Sequence, residues 1–254
     1  MKKKKVIYYV VLAVLIGIFL FAAIKLGLYY LEKVRSDKLL NEATQYIEPA
    51  DPNVGGEEGK EESQTGDPEM INVDFEALAQ LNKDIIGWIY CPNTMINYPI
   101  VQAADNDYYL YRLLDGTSNS NGSIFMDYRN EDDFSDENTL IYGHHMQTGA
   151  MFGQLVNYKK QSYYDQHPYI YIITPSQTYR LDLFAGCVVD HISDVFRKTI
   201  SDDLINELMA NSTFDSTISF PEGNIVTLST CTYEYDDARY VVLGELVPVE
   251  LEAE

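Results

Sequence analysis

Cysteine is nearly absent from this chain, with only Cys91, Cys187 and Cys231 among 254 residues. Three thiols cannot all pair within one chain, and none sits in a C-x-x-C or Cys/His spacing. Neither a disulfide framework nor a zinc site is indicated. Basic residues are also sparse beyond residue 38, where 10 stand against 37 acidic ones, a net of −27. Phosphate-backbone binding depends on clustered Lys and Arg, so this balance argues against a nucleic-acid partner. The acid reads instead as a solvated surface that favours solubility. Tryptophan occurs once, yet tyrosine fills 21 positions and aromatics make up 13% of the chain. That composition suits half-buried pleated strands. No internal repeat is visible.

One apolar run stands out. Residues 2–5 are four lysines, and Val6 to Ile24 (VIYYVVLAVLIGIFLFAAI) follow with no charge. Nineteen such residues approach the ~20 needed to cross a ~30 Å hydrocarbon core. A cleaved signal peptide has a shorter apolar stretch of ~7–15 residues, so a retained anchor over 6–28 is the expectation, with Ala22-Ala23 the weak alternative cleavage site. Positive-inside bias puts the tail 1–5 in the cytoplasm and the remainder outside a single-pass membrane anchor, although Lys25, Lys33, Arg35 and Lys38 blunt that bias. A helical stalk over 31–46 is followed by IEPADPNVGGEEGKEESQTGDPEM at 47–70, too poor in apolar residues to offset its ordering entropy. Residues 29–70 are therefore expected to be stalk and flexible linker, and 71–254 one extracellular domain.

Within that domain Asp74 is a plausible N-cap for a short helix whose Phe75, Leu78 and Leu81 share a face. Eight runs have strand character: Ile85–Tyr90, Tyr98–Gln102, Ser123–Asp127, Thr139–Tyr142, Tyr169–Thr174, Arg180–Asp190, Asn224–Thr230 and Tyr240–Pro248. Helical pieces are expected at Asp107–Leu114, Met151–Tyr158 and Ser201–Ala210. Eight short strands with few helices point to a mainly β fold, a closed or nearly closed β-barrel.

The chemistry is concentrated at strand ends. In NIVTLSTCTYEYDDARYVVL (224–243) one strand ends at Cys231, an acidic loop follows, and the next strand opens near Arg239. If the two pair, the thiol and guanidinium share one end of the sheet. A thiol needs a base or cation beside it to be a useful nucleophile at neutral pH, since its ordinary pKa is ~8.5. His144 and His145 follow another strand through Gly143 and offer that base. Arg239 supplies a permanent charge for an oxyanion. Taken singly, each is unremarkable: a lone Cys is usually a small buried hydrophobe, and spacing does not separate His144 from His145.

The combination is more specific. TLSTC followed eight residues later by Arg in ARYVV resembles the active-site strand pair of the sortases, and NTLIYGHHM resembles the histidine segment of class B sortases. NDYYL (106–110), NGSIFMDYRN (121–130), MFGQL (151–155) and a helix-bearing insert over about 191–220 extend the likeness across roughly 74–248. The resemblance implies a sortase-type eight-stranded barrel behind a membrane helix. It implies a cysteine transpeptidase in which His144, Cys231 and Arg239 are catalytic, with His144 chosen over His145. The implied reaction cleaves a C-terminal sorting-signal pentapeptide after Thr, holds the protein as a Cys231 thioester, and transfers it to an amine of the cell wall or of another subunit. Asn106, Leu110 and Ser229 match positions lining the signal groove. Thr232 stands where some relatives carry an acidic residue, which leaves the signal preference open. The implied partners are surface proteins bearing the signal, a peptidoglycan precursor or other cell-wall amine, and the membrane. This chemistry requires no metal and no cofactor.

Two other classes are compatible with the same residues. A hydrolytic cysteine peptidase would share the thioester and use water as acceptor; an amine nucleophile added to the assay separates it. A non-enzymatic surface adhesin would leave a signal peptide uncut and Cys231 inert to thiol reagents.

Overall fold

The computed structural model describes residues 2–49 and 70–249. The linker expected at 47–70 therefore lies mostly outside the described residues. Its first three residues differ from expectation: Ile47–Pro49 form strand β1, paired antiparallel with β2 (Ile71–Val73).

A single helix, α1 (Lys2–Ala43), opens the chain and passes into a 3-10 turn at Thr44–Tyr46. By length and composition it can cross a bilayer. Its last third is not a free stalk. From Glu32 to Ala43 the covered residues recur at helical spacing: Glu32, Ser36, Leu39, Leu40 and Ala43 are turned inward, with Ser36 and Ala43 fully buried. α2 (Phe75–Leu81) then starts at Asp74, whose carboxylate accepts from Ala77 N at 2.9 Å as an N-cap.

The remaining strands are β3 (Ile85–Tyr90), β4 (Asn97–Val101), β5 (Ile124–Met126), β6 (Asn138–Tyr142), β7 (Tyr169–Ile173), β8 (Thr178–Asp190), β9 (Ile225–Cys231) and β10 (Ala238–Pro248). They close into an eight-stranded barrel in the order β10-β8-β7-β3-β4-β5-β6-β9. Pairings β4–β5 and β6–β9 are parallel; the other six are antiparallel. Closure leaves the barrel itself without an edge strand.

Alternation along each strand divides the side chains between two sides of the wall. Val226 and Leu228 on β9 join Tyr240 and Val242 on β10 in the barrel core, with Ile89, Ile141 and Phe152. Ile225, Val241 and Leu243 point the other way and pack against Ile205 and Leu208 of α4 (Asp202–Ala210). α3 (Gln161–Tyr164) is a single turn. Two of the helical pieces expected from sequence are shorter and tighter than an α-helix. Only Tyr109–Tyr111 is 3-10 in the first, because Asp105 caps the amides of Asp107 and Tyr108 and Arg112 turns extended to bridge Ser118. In the second, Leu155–Lys159 is 3-10, following a stretch that includes Met151 at φ 53°.

Candidate active site

β9 carries the candidate thiol. Period-two alternation puts Ser229 and Cys231 on the side of the wall opposite Val226 and Leu228, away from the barrel core. β10 runs antiparallel beside it with Arg239 directly opposite Cys231. Side chains so paired have Cβ atoms about 4.5–5.5 Å apart, within easy reach of a guanidinium. On its other side β9 runs parallel to β6, with Tyr142 level with Ser229. Here the ladder continues past the end of β6. Gly143 N donates to Ser229 O at 3.1 Å, Thr230 Oγ1 donates to Gly143 O at 2.8 Å, and His145 Nδ1 donates to Cys231 O at 2.9 Å. Three rungs thus carry the histidine pair to the level of the thiol.

Gly143 is required by space rather than by φ. A Cβ there would lie 2.4 Å from Ile124 Cδ1 and 2.8 Å from Phe152 Cγ, both in the packed core. The absent side chain lets the backbone approach β5 and turn His144 toward the cavity.

That cavity has a volume of about 380 Å³ and is lined by all six residues singled out from sequence: Asn106, Leu110, His144, Ser229, Cys231 and Arg239. It opens onto a larger hollow of about 500 Å³ that shares Asn106, Ser229 and Arg239 and reaches Ile192 and Phe196 on the insert after β8. His144 Nε2 donates to Leu110 O at 2.6 Å, and the Tyr111 ring lies 5.7 Å from the imidazole. Among the described residues, no hydrogen bond joins the Cys231 thiol to His144. Cys231 is partly exposed, whereas Cys91 and Cys187 are buried, and burial pushes the Cys187 thiol up to about 11. Of the three thiols, it is Cys231 that lines this cavity.

Sequence reasoning passed over the residues that hold this wall. Asp127 has a fully buried carboxylate. It accepts from Arg129 Nε and Nη2 (both 2.8 Å), Arg129 N (3.0 Å), Asn106 Nδ2 (2.9 Å) and the Tyr142 hydroxyl (2.9 Å). Burial alone would raise its pKa, but these donors outweigh that and hold it at about 2. The same burial, with the Asp127 charge beside it, drives the Tyr142 phenol well above its usual range. Asp127 thereby fixes Asn106 and Tyr142, two walls of the cavity. The D-x-R spacing in MDYRN was the available signal.

The loop after the thiol is tethered as well. Lys159 Nζ donates to Thr232 Oγ1 at 2.8 Å and pairs with Glu234, while Tyr233 packs on the His145 ring at 5.3 Å. Hydrogen bonds from Lys159 and then Thr232 hold the Glu234 carboxyl down at about 2. His145, set aside in favour of His144, binds the backbone of Cys231 rather than the cavity.

A thiol enzyme whose reactive groups sit on strand ends of a closed barrel is the class this arrangement defines. The particular family follows from comparison with known proteins. The sortase domain model matches residues 89–247. The sortase B of Listeria monocytogenes is 32% identical over 246 residues, covering 92% of this chain and 94% of its own. That of Staphylococcus aureus is 33% identical over 189 residues, covering 71% and 78%. Among solved structures, sortase B from Bacillus anthracis aligns with a TM-score of 0.69 at 32% identity, covering 87% of this chain and all of that one. The S. aureus sortase B–substrate complex aligns at 0.65 and 34% identity, covering 69% and 85%. The chain belongs to the sortase family, and it is a cysteine transpeptidase similar to sortase B.

Proposed function

We propose that Cys231 is the nucleophile, His144 the proton carrier and Arg239 the oxyanion clamp, acting on a sorting-signal peptide seated along Asn106, Leu110 and Ser229. The observation that carries this reading is the single cavity lined by all six, with Cys231 and Arg239 opposite one another in the β9–β10 register.

The Cys231 thiolate adds to the carbonyl carbon of the signal's Thr, and the carbonyl electron pair moves onto oxygen. The Arg239 guanidinium receives that charge; one such donor is typically worth ~3–4 kcal/mol of barrier. Collapse breaks the C–N bond, and protonated His144 gives its proton to the departing amine. The thioester that remains is attacked by the amine of a cell-wall acceptor. The new C–N bond forms, the C–S bond breaks, and the acceptor's proton returns to His144.

The chain is then a single-pass protein with residues 1–5 inside, 6–28 in the bilayer and the barrel outside. Its partners are surface proteins with a C-terminal sorting signal and a peptidoglycan-type amine. The test is a panel of NPQTN-, LPxTG- and SPxTG-like peptides incubated with enzyme and an amine nucleophile, with products read by mass spectrometry. Cleavage after Thr with an amide product and a thioester mass on the Cys231 peptide is expected. Hydrolysis without amide product, or a thioester elsewhere, would overturn the reading.

A further inference from the structure

The catalytic barrel and the apolar helix are not separated by a flexible tether in the described residues. α1 is one uninterrupted helix from Lys2 to Ala43, and every side chain described from Lys5 to Leu31 is exposed. At the next residue the exposure ends. Glu32 O accepts from Asn119 Nδ2 at 2.9 Å, Glu32 Oε2 accepts from Ser120 Oγ at 2.7 Å, and Arg35 pairs with Asp115 at 3.0 Å. Ser36 and Ala43 are then buried against the domain, and Leu40 packs against the barrel core. The docked stretch Glu32–Ala43 is 12 residues, about 18 Å of helix, enough to fix a direction and not just a point.

The dimensions locate this dock relative to a bilayer. If the hydrocarbon core ends near Ile24, Glu32 lies eight residues further, about 12 Å along the axis. The headgroup layer occupies about 5–8 Å of that distance. Lys25, Tyr29 and Tyr30 fall in the interval, residue types suited to the interface. The turn Asp115–Ser120 therefore starts within a few ångströms of the headgroups. It is built of small polar residues that meet such a layer without inserting into it.

The dock is also wired to the cavity. Asn119, whose side chain binds Glu32 O, donates its backbone N to Tyr111 O at 3.0 Å. Tyr111 lines the cavity beside His144, and Leu110 O accepts the hydrogen bond from His144 Nε2. One short segment holds the anchor helix at one end and a wall of the site at the other.

We propose that α1 is a rigid strut that seats the barrel directly on the outer headgroup layer through the Asp115–Ser120 turn. The cavity is thereby held at a fixed height and orientation relative to the bilayer. This rests on the reading that 6–28 spans the membrane with the barrel outside. The test uses the full chain with Cys231→Ala and Ser118→Cys, reconstituted in phosphatidylglycerol/phosphatidylcholine vesicles and labelled at residue 118 with a thiol fluorophore. Cys91 and Cys187 are buried and stay unlabelled. Lipids carrying a nitroxide on the headgroup should quench the fluorophore. Inserting seven Gly/Ser residues between Leu31 and Glu32, an r.m.s. span of about 15 Å, should cut the quenching about twofold or more while the thermal melt of the domain stays unchanged. Absence of quenching in a chain that resists alkaline extraction would overturn the strut and leave the anchor standing. Equal quenching with and without the insert would also overturn it. Release of the chain by alkaline extraction would sink the anchor itself, and the strut with it.

Discussion

Asp127→Asn is nearly isosteric, yet it should be among the most damaging single changes near the cavity. All five hydrogen bonds at the carboxylate are donated to it, three to Oδ2 and two to Oδ1. An amide turns one oxygen into a donor. Whichever way it is flipped, an NH₂ group faces two or three N–H or O–H groups at a fully covered side chain. A carboxyl held at about 2 rather than its ordinary 3.8 corresponds to about 2.4 kcal/mol of preference for the charged form. Breaking a buried pair from one side costs about 3–5 kcal/mol, but the Arg129 side chain is 42% exposed and recovers part of its hydration. A destabilisation of about 2–4 kcal/mol follows, measurable by urea unfolding at pH 7. The pH dependence has a definite sign. The folded pKa is depressed, so the Asp127 contribution is fully present well above its ordinary 3.8 and is lost as pH falls toward 2. The gap between wild type and variant should therefore shrink by about 1 kcal/mol between pH 7 and pH 3. Because Asn106 and Tyr142 lose their anchor, KM for a signal peptide should rise as well. A gap below about 0.5 kcal/mol at pH 7, or one that does not narrow on acidification, would refute the assignment of Asp127 as the ionised keystone of this wall.

Cys231→Ala should abolish peptide cleavage and leave the unfolding curve unchanged, as checked by fluorogenic turnover and urea titration. Arg239→Lys keeps the charge but loses the guanidinium fork, and kcat/KM should fall about 100-fold or more. His145→Ala removes the donor on Cys231 O and should lower kcat about tenfold, with part of the loss restored in His145→Gln, whose amide can still donate. Gly143→Ala places a methyl inside contact distance of Ile124 and Phe152; a loss of about 1–3 kcal/mol in unfolding free energy is expected, together with reduced kcat as His144 shifts.

Much of the fold was legible because its signals are local. Strand alternation, turn residues between strands and the Asp74 cap are written in neighbouring side chains, and the eight runs read from sequence correspond to β3–β10 within a few residues. The tight 3-10 turns were not legible, since Asx capping by Asp105 and the left-handed Met151 depend on contacts that periodicity does not encode. Nor was the end of α1. Residues 31–46 read only as a helical stalk, and nothing in the spacing of Glu32 and Arg35 names Asn119 or Asp115, 80 or more residues away, as the groups that receive them.

For the site itself, the chain alone determined which chemistry was on offer. A thiol at a strand end, histidines after a glycine at another and an arginine opening the next strand are facts of sequence, and their placement at element termini makes them accessible. What only the tertiary structure decided is which groups meet. Parallel pairing of β6 with β9, strands separated by more than 80 residues, sets His144 at the level of Cys231, and barrel closure brings the 106–111 segment across them. It also divides the two neighbouring histidines, turning one toward the cavity and the other onto the backbone of Cys231. Register between distant strands is fixed by the packing of the whole wall, and no local pattern contains it.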